Sequence, residues 1–68
     1  MKSMNTRIRD GILASFRSTP STAEGNLNLI AALQGGTPVT ILSMEGNWYY
    51  CEVGGMQGYL HKSCIAFE

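Results

Sequence analysis

The chain has 68 residues, 44% of them hydrophobic, and five basic residues balance five acidic ones. So short a chain builds one core rather than two, and its apolar share is that of a folding sequence, not a disordered one. Zero net charge lacks the positive excess of a nucleic-acid binder, and the longest apolar run, Leu29-Ile30-Ala31-Ala32-Leu33, falls far short of the ~20 residues of a membrane helix. No nucleic-acid or membrane partner is expected.

Residues 1–5 read as an N-terminal tail and residues 6–68 as one domain. Met1 to Arg7 has no apolar stretch after its positive charge, so the chain as written reads as cytoplasmic, or as cell-envelope if it is a piece of a larger exported protein. Thr6 to Ser18, with Ile8, Ile12, Leu13 and Phe16, predicts a strand bent near Asp10-Gly11. Ser18-Thr19-Pro20-Ser21-Thr22 is turn chemistry, with Pro20 holding Thr19 extended. Residues 21–34 are ambiguous. Ser21-x-x-Glu24 resembles a helix capping box, but Gly25, Asn26 and Asn28 are poor helix residues. The alternative is a strand from Asn28 with Leu29, Ala31 and Leu33 on one face, and the flanking β pattern favours it. Gly35-Gly36 is a turn, Thr37–Met44 a β-branched strand, and Glu45-Gly46-Asn47 a hairpin loop. Trp48–Val53 is the next strand, Gly54-Gly55 a tight turn, and Met56–Leu60 a further strand. His61-Lys62-Ser63 predicts one 3₁₀ turn and Cys64–Phe67 a short last strand. The fold class is all-β: five or six short strands in a small barrel whose closure would protect its edges.

Charge is uneven along the chain. Residues 1–17 carry +3 and residues 18–68 carry −3, which reads either as two solvated faces or as a basic edge for an acidic partner. Cys51 and Cys64 read as buried free thiols, with a single bridge as the alternative in an exported protein.

Catalytic groups are scarce. The one histidine, His61, allows only a Cys51–His61 or Cys64–His61 dyad, and Cys51 sits mid-strand among large apolar neighbours. His61-x-x-Cys64 is half a zinc site without obvious further ligands. The Gly pairs lack the Lys-Ser/Thr of a phosphate loop. The chain reads as non-enzymatic, with no cofactor and no metal.

The aromatic residues carry the functional signal. Alternation places Trp48 and Tyr50 on one face of their strand and Tyr49, Cys51 and Val53 on the other, which is apolar enough to be core. Trp48, Tyr50 and Tyr59 then line an outer groove suited to a peptide or glycan. Arg17 is a rim charge for a ligand carboxylate or, alternatively, an internal ion-pair partner of Glu45 or Glu52. The candidate ligand-binding set is Trp48, Tyr50, Tyr59, Arg17 and His61. The opposing reading is that Trp48 caps one end of the barrel and the tyrosines cover glycines.

Four motifs in order resemble the bacterial SH3 (SH3b) domain family. They are Phe16-Arg17-Ser18-Thr19-Pro20-Ser21; Leu29-Ile30-x-x-Leu33-x-x-Gly36-Thr37-x-Val39-x-Ile41-Leu42; Gly46-x-Trp48-Tyr49-x-Cys51-x-Val53; and Gly58-Tyr59-Leu60-His61-x-Ser63-x-Ile65. The resemblance spans about residues 8–67. It departs at Thr19, where glycine is common, at Tyr59, where tryptophan is usual, and at Cys51, which replaces a core valine. It implies an SH3-like barrel, a strand at 29–33 and a long loop at 22–28. It also implies recognition of peptidoglycan stem or bridge peptides, with intracellular relatives binding proteins. The proline-groove run of eukaryotic SH3 domains is absent, so PxxP recognition is not expected.

The expected function is therefore a non-catalytic module that binds a short peptide, from the cell wall or from an extended protein segment. The alternative is a free-standing intracellular interaction protein, such as a phage or mobile-element inhibitor or a complex subunit. A third reading is a homodimer that supplies the burial a small monomer lacks.

Overall fold

Glycine places the turns. Gly46 holds φ 65° while among the described residues no non-glycine residue has positive φ, so the two-residue loop Gly46-Asn47, closed by the Glu45–Trp48 pair, follows the Gly-first pattern of a II′ hairpin. Gly54 and Gly55 hold φ 57° and 85°, and Val53 pairs with Met56 across them; two consecutive positive φ values are what a I′ turn requires.

A computed structural model describes residues 3–66. Among the described residues there are six strands: β1 Met4–Arg7, β2 Leu13–Arg17, β3 Leu29–Gln34, β4 Pro38–Glu45, β5 Trp48–Val53 and β6 Met56–His61, followed by a 3₁₀ turn at Lys62–Cys64. All pair antiparallel in one sheet of order β1-β4-β5-β6-β2-β3. The all-β expectation of five or six short strands holds, but the expected barrel closure is not seen: β1 and β3 are edges that do not pair with each other, so the sheet is not closed. Among the described residues no helix is long and apolar enough to cross a membrane.

The ends of the sheet meet around Ile8. Its N–H donates to Thr37 O, its carbonyl accepts from Gly36 N–H, and it forms a bridge with Ile65. Arg9 N–H donates to Cys64 O and Ala66 N–H to Arg7 O. Ile8 is thus stitched on both sides and fully buried. The core is one cluster of Ile8, Ala14, Phe16, Leu33, Val39, Ile41, Cys51, Val53, Leu60 and Ile65.

Several boundaries differ from the sequence reading. The tail expected over residues 1–5 is strand from Met4 onward; Met1 and Lys2 lie outside the described residues. The bent strand expected over Thr6 to Ser18 is two strands, β1 and β2, which sit four places apart in the sheet because the chain turns at Gly11, φ 82°. Residues 29–34 are strand, as the second reading of that segment has it, but the alternation is broken. Phe16 pairs with Ala31 and Arg17 with Leu29, leaving Ile30 as an extra residue, a β-bulge. The bulge moves Leu29 off the core face that Ala31 and Leu33 share and sets it beside Arg17. A second shift, between Ile41 and Ser43, leaves Leu42 unpaired in β4. The 3₁₀ turn lies one residue later than expected, and the last strand reduces to the single bridge at Ile65; Phe67 lies outside the described residues.

Gly58 allows β2 to reach β6. A Cβ there would lie 2.6 Å from Arg17 O and 3.1 Å from Phe16 Cζ, inside contact distance, so any side chain would push β2 away. The two strands share only the Arg17–Tyr59 pair.

Candidate functional site

Directly opposed residues of an antiparallel pair share a face, and the face alternates along each strand. In β5, Cys51 and Val53 are buried and Tyr49 packs on the core, which puts Trp48, Tyr50 and Glu52 on the outer face. Their β6 partners are His61, Tyr59 and Gln57. The strand neighbours extend these pairs into three rows across the sheet: Glu45–Trp48–His61; Ser43–Tyr50–Tyr59–Arg17–Leu29; and Thr40–Glu52–Gln57. The register therefore brings all five residues singled out in the sequence, Trp48, Tyr50, Tyr59, Arg17 and His61, onto one face. Each is half-buried.

The aromatic contacts are cross-strand pairs. Trp48 and His61 stack edge-to-face with centroids 5.1 Å apart, and Tyr50 and Tyr59 lie 5.1 Å apart with rings tilted by 51°. Such geometry suits the quadrupoles of the rings and adds to simple burial. The Tyr50 hydroxyl donates to Gln57 Oε1 at 2.9 Å. Trp48 lies on the sheet face beside His61, at the start of β5 next to the Gly46-Asn47 turn. His61 also holds the turn that follows it. Its Nδ1 accepts from Ser63 N–H at 3.2 Å and contacts Ser63 Oγ at 2.9 Å. It thereby caps the 3₁₀ turn, leaving Nε2 as the other polar atom of the ring.

Arg17 does not form the internal ion pair with Glu45 or Glu52 that is one expectation for it. Its Nη1 donates to Gly25 O and to Asn28 Oδ1, the latter at 2.7 Å. The sheet order separates it from Glu45 and Glu52: β6 stands between Arg17 and Glu52, two strand spacings or about 10 Å, and both β6 and β5 stand between Arg17 and Glu45, three spacings or about 15 Å. Arg17 instead ties down the 18–28 loop. Asn28, only 7% exposed, completes that tie. Its Nδ2 donates to Thr19 Oγ1 and Ser21 O, both at 2.8 Å, and Thr19 Oγ1 donates to Glu24 Oε1 at 3.0 Å. The sequence does not single out Asn28, because an asparagine before a strand looks like ordinary turn chemistry. The same loop leaves Leu27 91% exposed.

The cysteines are both free. Cys51 is fully buried on the core face, donates to Tyr49 O at 3.3 Å, and burial pushes its thiol up from 9.0 to about 11. It opposes Gly58 while His61 opposes Trp48, so Cys51 and His61 lie on opposite faces of the β5–β6 ladder. A thiol held neutral and out of reach of the imidazole is no activated nucleophile. Among the described residues no three His, Cys, Asp or Glu side chains are grouped to hold a metal ion.

Comparison of the chain with protein-family models, with curated proteins and with solved structures finds no match.

Proposed function

We propose that the chain is a non-catalytic binding module that takes a short extended peptide on the outer face of β5 and β6. The observation that carries this reading is the pair of cross-strand aromatic contacts, Trp48–His61 and Tyr50–Tyr59, placed side by side on a face the core does not use. Flat, rigid rings with polar atoms at their edges give contact area at low entropic cost, which is why aromatic residues dominate recognition surfaces. The separation of Cys51 from His61 supports binding over catalysis. The resemblance of four motifs to bacterial SH3 domains favours a cell-wall peptide as the ligand and hence an envelope location. An extended segment of an intracellular protein is the competing ligand.

Sedimentation with purified peptidoglycan sacculi tests the reading. The wild-type protein is expected to pellet with sacculi, and Trp48→Ala and Tyr50→Ala to stay in the supernatant with unchanged circular dichroism. Wild-type protein that remains in the supernatant sinks the cell-wall ligand and leaves the intracellular interaction protein. If both variants unfold, the rings are structural and the binding face is wrong.

A further inference from the structure

The charges nearest Trp48 and Tyr50 on the candidate face are acidic. The sequence offers Arg17 as the nearest charge, aimed at a ligand carboxylate. In the structure Arg17 turns its Nη1 into the 18–28 loop, on the β2 side of Tyr59. On the other side of the aromatic residues stand two carboxylates. Glu45 is the cross-strand neighbour of Trp48, one strand spacing or about 5 Å away in backbone terms. Glu52 lies two residues beyond Tyr50 on the same face of β5, about 7 Å along the strand.

Among the described residues neither carboxylate is neutralised. Glu45 accepts a hydrogen bond from the uncharged Ser43 Oγ at 3.2 Å. The Glu52 side chain makes no hydrogen bond or ion pair among the described residues. Trp48 and Tyr50 therefore form an aromatic surface with one carboxylate across the β4–β5 ladder from Trp48 and another further along β5 from Tyr50, neither ion-paired among the described residues. A cation placed over an indole or phenol face is attracted by the ring quadrupole, and here the flanking carboxylates add to that attraction. An acidic ligand would meet the negative ring faces and both glutamates, a like-charge penalty that selects against it.

We propose that the β5–β6 face is selective for a peptide bearing a lysine or another primary ammonium group, which sits over Trp48 and Tyr50 between Glu45 and Glu52. The inference rests on the reading of this face as a peptide-binding surface and names the ligand chemistry it selects. The occupant is chosen by charge complementarity: the charges nearest Trp48 and Tyr50 are Glu45 and Glu52, while Arg17 lies beyond Tyr59 and directs its Nη1 into the 18–28 loop.

The test uses the full chain and three alanine–glycine heptapeptides identical except for a central lysine, norleucine or glutamate. Binding is followed by Trp48 fluorescence and by amide chemical shifts along β5 and β6. The lysine peptide is expected to bind about tenfold more tightly than the norleucine peptide, with the glutamate peptide weakest. Glu45→Gln, at an exposed residue, and Glu52→Gln, at a half-buried one, keep the shape of the side chain and should each shrink the lysine preference severalfold while leaving norleucine binding unchanged. Raising the salt should erode the same preference. Equal binding of all three peptides overturns the cation selectivity and leaves the binding face standing. A preference for the glutamate peptide also overturns the selectivity. Binding of none overturns both. Concentration-dependent shifts at Trp48 and Tyr50 without peptide would identify a second copy of the chain as the occupant and overturn the proposal.

Discussion

Arg17 and Cys51 show how one side chain's neighbours decide its chemistry. Arg17 has the character of a recognition group, yet its hydrogen bonds make it a loop anchor, because a guanidinium finds its nearest acceptors in Gly25 O and Asn28 Oδ1. Cys51 reads as a small core residue, and it is one. Its burial carries a pH signature. The folded thiol titrates near 11 against 9.0 for an exposed one, so between those values the unfolded chain has released a proton that the folded chain still holds. Stability is then unaffected by this group below about pH 9, falls as pH rises from 9 to 11, and levels off above. Between pH 8 and pH 10.5 the urea midpoint should drop less for Cys51→Val than for the wild type. Equal drops would show that the thiol is not desolvated.

At the scale of elements, the 18–28 loop is ordered by side chains and not by secondary structure. Asn28 donates to Thr19 and Ser21 and accepts from Arg17, so it substitutes for the backbone ladder that a loop lacks. Asn28→Ala should cost about 1–3 kcal/mol, since buried partners lose their bonds. The loss should be local: amide exchange should quicken across residues 18–28 and change little in β4, β5 and β6. Uniform acceleration across the sheet would instead mean that the loop and the sheet unfold as one unit. The two glycine hairpins flanking β5 explain why its register, and with it the aromatic rows, is well determined. Each two-residue turn permits one pairing, and a one-residue slip would turn Cys51 and Val53 outward.

For the whole molecule, the radius of gyration is 10.8 Å, close to the ~11 Å of a compact chain of this length. Compactness without closure depends on Ile8, which joins the segment after β1 to residues 36–37 on one side and 64–65 on the other. A domain of this size has about 3–10 kcal/mol of stability in all, and truncating a buried isoleucine costs about 2–5 kcal/mol. Ile8→Ala should therefore lower the urea midpoint by about 1 M or more, or leave the chain unfolded. A smaller effect would show that the 64–66 segment contributes little to holding the fold.

Much of this is legible in the sequence. The positions of β4, β5 and β6 are legible because glycine turns and two-residue alternation are local signals, and the division of Tyr49, Cys51 and Val53 from Trp48 and Tyr50 follows from that alternation alone. Trp48, Tyr50, Tyr59, Arg17 and His61 emerge from the sequence only as a set of residues, without their order across the sheet. The bulge at Ile30, the role of Arg17, the burial of Asn28, the open edges at β1 and β3, and the placing of Glu45 and Glu52 beside the aromatic rings are not legible. Each depends on which strand lies next to which and in what register. The sequence by itself determined that the chain makes short strands with one apolar face, because propensity and periodicity act over a few residues. Only the tertiary structure decided which charges face the aromatic rings, because pairing between distant strands is settled by the fit of the whole core.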